Sequence, residues 1–155
     1  MSKIEHPADI MMAKVEKMND KVRKAAEYFG SGLYCSQAVL GAFCEDLGMD
    51  RETAFRVSCG LNSGVRCADI CGAVTGAVLV ISLKHGGSQS ICNAMTEEFL
   101  ACFKEKHGSV ICRDILGCDI STPEGKAKAV DEGLFKNVCT DAVITAAQIL
   151  SDKGY

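Results

Sequence analysis

Ten cysteines in 155 residues are the side chains best able to do chemistry in this sequence. In a reducing compartment, cysteines in such number argue for metal ligation or redox chemistry before structural bridges. Their placement sharpens this reading. Cys35 lies immediately before a predicted helix, Cys71 in the first turn of the most apolar helix, and Cys112 at the opening of a short helical turn. A helix N-terminus carries roughly half a positive charge and unpaired amides, which favour the thiolate and lower the thiol pKa. Thiolate is both the nucleophile and the metal ligand, so three helix-start cysteines suit either a metal centre or a reactive thiol pair. Cys139, early in the last predicted helix, can reach the same point. Cys118, behind the Gly117 turn, is a fifth candidate ligand, and Cys67 is spaced from Cys71 for a local disulfide or a nearby second thiol.

The remaining cysteines read differently. Cys44, Cys59, Cys92 and Cys102 fall within helices or at their ends, where a free cysteine commonly fills core space. No C-x-x-C occurs, so thioredoxin-type exchange and zinc-ribbon spacings are unsupported, and no C-x-x-C-H is present to attach a c-type haem. Ligands must therefore converge from distant parts of the chain. His6, His85 and His107 lie apart, the last two beside glycines at helix ends where a histidine meets free carbonyls, and are not read as ligands. The loop over residues 60–64 has neither a P-loop lysine nor G-x-G-x-x-G, which argues against a phosphate site.

Helical periodicity must supply the frame, since alternating β-branched runs bounded by hairpin turns do not occur. The pattern predicts helices over residues 8–29, 36–47, 51–58, 70–84, 90–106, 112–116, 123–132 and 134–151. Asp50 and Asp69 are the expected caps of the third and fourth, and Thr122-Pro123-Glu124 is a cap followed by a first-turn proline. Gly72 and Gly76, flanked by Ala73 and Ala77, give the apolar helix a smooth face that a backbone, a cofactor or a second copy of the chain can approach closely. The expectation is an all-α, single-domain bundle of about six to eight helices over residues 1–155, large enough for one core without disulfide staples.

Composition narrows the function classes. Lys and Arg number 17 against 20 Asp and Glu, a net charge of −3 with no basic stripe, which argues against nucleic acid and anionic membranes as partners. The longest apolar stretch, residues 70–83, is shorter than the roughly twenty residues of a bilayer span. Lys3, Asp9, Lys14, Glu16 and Lys17 interrupt the region where a secretory signal needs an apolar run, so a cytoplasmic location is expected.

Four segments together resemble a known family. They are Tyr34-Cys35-Ser36-Gln37-Ala38-Val39, Cys71-Gly72-Ala73-Val74-Thr75-Gly76, Cys112-Arg113-Asp114-Ile115-Leu116-Gly117 and Val138-Cys139. The sequence resembles the redox-active proteins named for a C…GCAxxG…C…C pattern, whose middle motif reads C-G-A-x-x-G. That resemblance covers most of the chain and implies a small helical domain with four characteristic cysteines, here Cys35, Cys71, Cys112 and Cys139. A more distant similarity, to the non-haem part of split-Soret cytochromes, implies an iron–sulfur centre.

Three readings follow. The first is an iron–sulfur or other thiolate-ligated centre, zinc included, that exchanges electrons with a redox partner protein; Gly72 and Gly76 leave room for the cofactor. The second is a thiol–disulfide enzyme or sensor in which Cys71 attacks and Cys35 or Cys67 resolves. The third is a helical interaction module, a homodimer among its forms, whose cysteines only fill space.

Overall fold

A computed structural model describes residues 19–155, which form an all-helical bundle of eight α-helices. The predicted start of the first helix at residue 8, and His6, lie outside the described residues. Among the described residues no helix is long and apolar enough to cross a membrane.

The centre is α2 (Cys35–Phe43), in which every residue from Ser36 to Phe43 is buried. A helix apolar on all sides needs cover on all sides, and here α1 (Asp20–Gly30), α3 (Arg51–Ser58), α4 (Gly72–His85) and α8 (Leu134–Asp152) surround it. Its two polar residues are satisfied, as buried polar groups must be. The Ser36 hydroxyl donates to the Ser58 carbonyl at 2.8 Å, and Gln37 Nε2 donates to the Phe55 carbonyl at 2.9 Å, tying α2 to α3. Gln37 also accepts the Tyr34 N–H at 3.0 Å, which fixes the start of α2 and hence the position of Cys35.

Helices α2 and α4 approach each other closely at Gly76. A Cβ added at Gly76 would stand 2.7 Å from the Ser36 carbonyl oxygen and 3.2 Å from Val39 Cβ, so the helix backbones touch there. Ala73 and Ala77 are fully buried on the same helix. At Gly76 the smooth face foreseen on α4 is taken up by packing against α2, whereas Gly72 lines an adjoining cavity.

The other elements close the bundle. In α5 (Gln89–His107), Phe99 and Phe103 stack with ring centroids 6.1 Å apart and are fully buried, while α8 supplies Val143, Ala146, Ala147 and Leu150. The short α6 (Cys112–Leu116) and α7 (Pro123–Asp131) cap one end, α7 starting at Pro123 with the Thr122 hydroxyl accepting the Gly125 N–H at 3.0 Å. Asp50 caps α3 as expected, accepting the Thr53 N–H at 2.9 Å.

Two boundaries differ from expectation. The helix predicted to run to residue 47 stops as an α-helix at Phe43 and tightens into the 3-10 turn Glu45–Leu47 before Gly48 at φ 86°. Asp69 does not cap α4. Its own N–H is committed to the Gly64 carbonyl at 3.0 Å and its carbonyl accepts the Cys112 N–H at 2.6 Å, so Cys71 becomes the cap residue.

Candidate functional site

Two backbone hydrogen bonds bring Cys71 and Cys112 side by side. Cys71 N–H donates to the Val110 carbonyl at 2.8 Å and Cys112 N–H to the Asp69 carbonyl at 2.6 Å, flanking an isolated antiparallel bridge between Ile70 and Ile111. Each cysteine is the residue directly after its bridge residue, so α4 and α6 leave a shared origin. Cys35 opens α2, and its sulfur lies against Gly72, where an added Cβ would overlap it. Cys139 comes from the second turn of α8. These four cysteines line a single cavity of about 530 Å³, walled by Phe29, Leu33, Ile115, Leu116 and Phe135. Segments more than a hundred residues apart in the chain are joined there.

One wall is unusual in its backbone. Ser63, Gly64, Val65 and Arg66 have φ of 53°, 62°, 55° and 62°, a left-handed turn in which only Gly64 is a glycine. For a non-glycine residue this region costs about 1–2 kcal/mol, and a β-branched valine is the least suited to it. Such a turn persists only where its surroundings hold it, and both ends are held here. Asn62, 4% exposed, donates to the Cys59 carbonyl at 2.7 Å and accepts from the Ser63 hydroxyl at 3.0 Å and from Arg66 Nη1 at 3.2 Å. Beyond the turn, Arg113 Nη1 donates to the Ala68 carbonyl at 3.2 Å. The sequence shows only a glycine-bearing loop in this place, with nothing in Val65 or Arg66 to mark their conformation.

The electrostatics run opposite to the sequence-based expectation. Burial, with the neighbouring Cys35 and Cys112 adding to it, pushes the Cys71 thiol up to about 12. Burial likewise pushes Cys112 up to about 12, with Cys35 and Cys118 adding to it. Cys139 rises through burial and through all of Cys35, Cys71, Cys112 and Cys118, and Cys35 rises through burial. The helix-start effect is present but loses. The amides of Ser36, Ser63, Cys35 and Gly72 favour a charged Cys35, and those of Ala73 and Val74 a charged Cys71, yet loss of solvent outweighs them. Mutual repulsion also testifies that these sulfurs lie within reach of one another.

The other candidates separate clearly. Cys118 is half-buried outside the cavity wall, close enough to influence Cys112 and Cys139. Cys67 is exposed, its sulfur 3.2 Å from the Gly64 carbonyl oxygen, and does not line the cavity. Cys44 is buried, and Cys92 and Cys102 pack against the core as foreseen. Cys59 is a correction, being exposed, because it opens the 3-10 turn that leaves α3 on the solvent side. His85 packs edge-on against Tyr155, and His107 stacks on Phe103 at 4.7 Å between ring centroids. Among the described residues no three His, Cys, Asp or Glu side chains are grouped tightly enough to hold a single metal ion.

This largely apolar, sulfur-lined cavity has backbone amide donors aimed at two of its sulfurs. That arrangement coincides with a family match. The family model described as "Putative redox-active protein (C_GCAxxG_C_C)" matches residues 33–153, a span that holds all four cavity cysteines. No curated protein and no solved structure matches the chain. With most of its length under that model, the chain belongs to the C_GCAxxG_C_C family of redox-active proteins.

Proposed function

We propose that Cys35, Cys71, Cys112 and Cys139 hold an iron–sulfur cluster with which the protein exchanges electrons with a partner protein. One observation carries this reading: four cysteines from four helices remote in sequence line one cavity. Four thiolates are the ligand number of both common cluster types. Sulfurs that ring a space suit a multi-iron cluster better than zinc, whose ligands crowd within about 2.3 Å of one ion. Such a cluster supplies a one-electron couple. The chain's own part is to exclude water through the apolar walls and to direct the amides of Ser36, Ser63, Gly72, Ala73 and Val74 at the sulfurs, a contact that sets cluster potentials.

The raised thiol pKa values support metal ligation over thiol–disulfide exchange. A neutral Cys71 with a pKa of about 12 is a poor nucleophile at neutral pH, and Cys67 stands outside the cavity. A metal cation reverses the penalty, because it gives the buried thiolates the opposite charge they lack and releases their protons on binding. The test is anaerobic purification followed by iron and acid-labile sulfide analysis and a visible spectrum. Iron and sulfide in near-equal amounts, lost on replacing any one of the four cysteines by serine, is the expected result. Colourless, iron-free protein after reconstitution overturns the reading.

A further inference from the structure

We propose that the cavity is also a binding site for a small amphipathic organic anion, with its apolar body among the walls and its charged head at the rim. This goes beyond the cluster assignment and rests on the walls and rim alone. At about 530 Å³ the cavity lies within the range of small-molecule sites, about 300–1,000 Å³, and its lining is mostly apolar, with Phe29, Leu33, Ile115, Ile120 and Phe135 contributing.

The rim carries one sign of charge. Arg66, Lys126 and Lys136 line the cavity from three separate segments, all three exposed, and no Asp or Glu lines it with them. None of the three forms an ion pair with a described carboxylate. Asp119, near enough to raise the Cys112 pKa, lies outside the wall and is engaged by the Ser121 N–H and hydroxyl. Buried sulfurs and exposed cations also set a direction, with Cys71 and Cys112 only 8% and 7% exposed at the inner end.

Arg66 is not a free surface side chain. It is the last residue of the left-handed turn and is held by Asn62 and Ser63 at 3.2 and 3.4 Å, so a strained segment is spent on presenting a guanidinium to the cavity. Strain of this kind gathers at ligand clamps. Each exposed cation is worth about two- to five-fold in affinity for an anion, so three together amount to about ten-fold or more.

The test uses two fluorescent probes of the same apolar body, anilinonaphthalene sulfonate and uncharged N-phenylnaphthylamine, titrated into metal-free reduced protein. Wild type is expected to bind the sulfonate more tightly. In the variant combining Arg66→Gln, Lys126→Gln and Lys136→Gln, the sulfonate should lose about ten-fold in affinity while the neutral probe is unchanged. Thr140→Phe, which adds bulk from a half-buried lining position, should weaken both probes alike. Equal affinities for the two probes in wild type, or an unchanged sulfonate affinity in the triple variant, overturns the proposal and leaves the cations as counter-charges for the thiolates. Iron and sulfide contents of the same preparations before metal removal keep the two readings apart. Charge-selective binding by a protein that never takes up iron upholds the anion site and sinks the cluster; a cluster without charge-selective binding does the reverse.

Discussion

Gly72→Ala and Gly76→Ala, one turn apart on α4, should rank in opposite orders in two assays. At Gly72 the added methyl overlaps the Cys35 sulfur and makes only ordinary or slightly tight contacts with the Leu61 carbonyl oxygen at 3.3 Å and the Ser36 nitrogen at 3.4 Å. A cysteine sulfur sits at the end of one rotatable bond, so Cys35 can swing aside for about 1 kcal/mol. At Gly76 the methyl meets backbone, the Ser36 carbonyl oxygen at 2.7 Å and the Ser36 Cα at 3.1 Å, and only movement of a whole helix relieves that. Overpacking of this sort costs about 2–3 kcal/mol. At this chain length 1 kcal/mol moves Tm by about 2–4 °C, which makes Gly72→Ala the milder lesion in a thermal melt of metal-free protein. Iron loading should reverse the order. Gly72→Ala removes a sulfur from the cavity and should reconstitute poorly, whereas Gly76→Ala leaves the cavity wall intact and should load normally below its melting temperature. Equal loading of the two variants, or a Gly72→Ala melt lower than that of Gly76→Ala, would refute the placement of Cys35 against Gly72.

Three further outcomes are expected. Because folding raises the Cys71 pKa from an ordinary 9.0 to about 12, the folded chain keeps a proton that the unfolded chain releases between those values. The metal-free protein should therefore lose stability as pH rises above about 9, by up to about 1.4 kcal/mol per unit for Cys71, with Cys112 adding in the same direction; a urea midpoint that holds steady from pH 8 to about 10.5 would contradict this. Val65→Gly should stabilise by about 1 kcal/mol, since Val65 holds φ 55° with its side chain 47% exposed and little packing to lose; a lowered denaturation midpoint would show that the turn is not strained. Ser36→Ala should cost about 1 kcal/mol by removing the hydroxyl bond that ties α2 to α3, measured as a shift in urea midpoint at constant slope, and no shift would mean that the bond carries no net stability.

Much of this architecture was legible in the sequence because it rests on local rules. Asp50, Pro123 and the glycine stops mark helix ends whatever they pack against. Cys35, Cys71 and Cys112 were marked by their common place at helix openings, but nothing local required those openings to meet. What escaped reading depends on tertiary partners. The Ile70–Ile111 bridge that sets Cys71 beside Cys112 pairs single residues forty-one positions apart, too little to leave a strand pattern. The left-handed turn over 63–66 places Val65 and Arg66 where propensity argues against them, and hydrogen bonds made by Asn62, Asp69 and Arg113 hold it. Gly76 reads as an opening for a cofactor until α2 is seen to fill it.

The ionisation of the thiols shows most plainly how a correct local rule can give the wrong sign. Amides at the starts of α2 and α4 do favour the charged sulfurs, and an exposed helix start would have lowered the pKa. Here the same fold that gathers the cysteines removes their solvent and sets them against one another, and these two penalties exceed what the amides return. Burial thus favours neutral thiols, and their ionisation calls for a positive charge beside them. A site so built resists casual oxidation, since thiolate is the species oxidants attack, yet keeps its hydrogen-bond donors aligned for the charged state. On this view the amides act after the metal: they steady thiolates that the cation has already stabilised, and so tune a cluster potential without adding to the number of ligands.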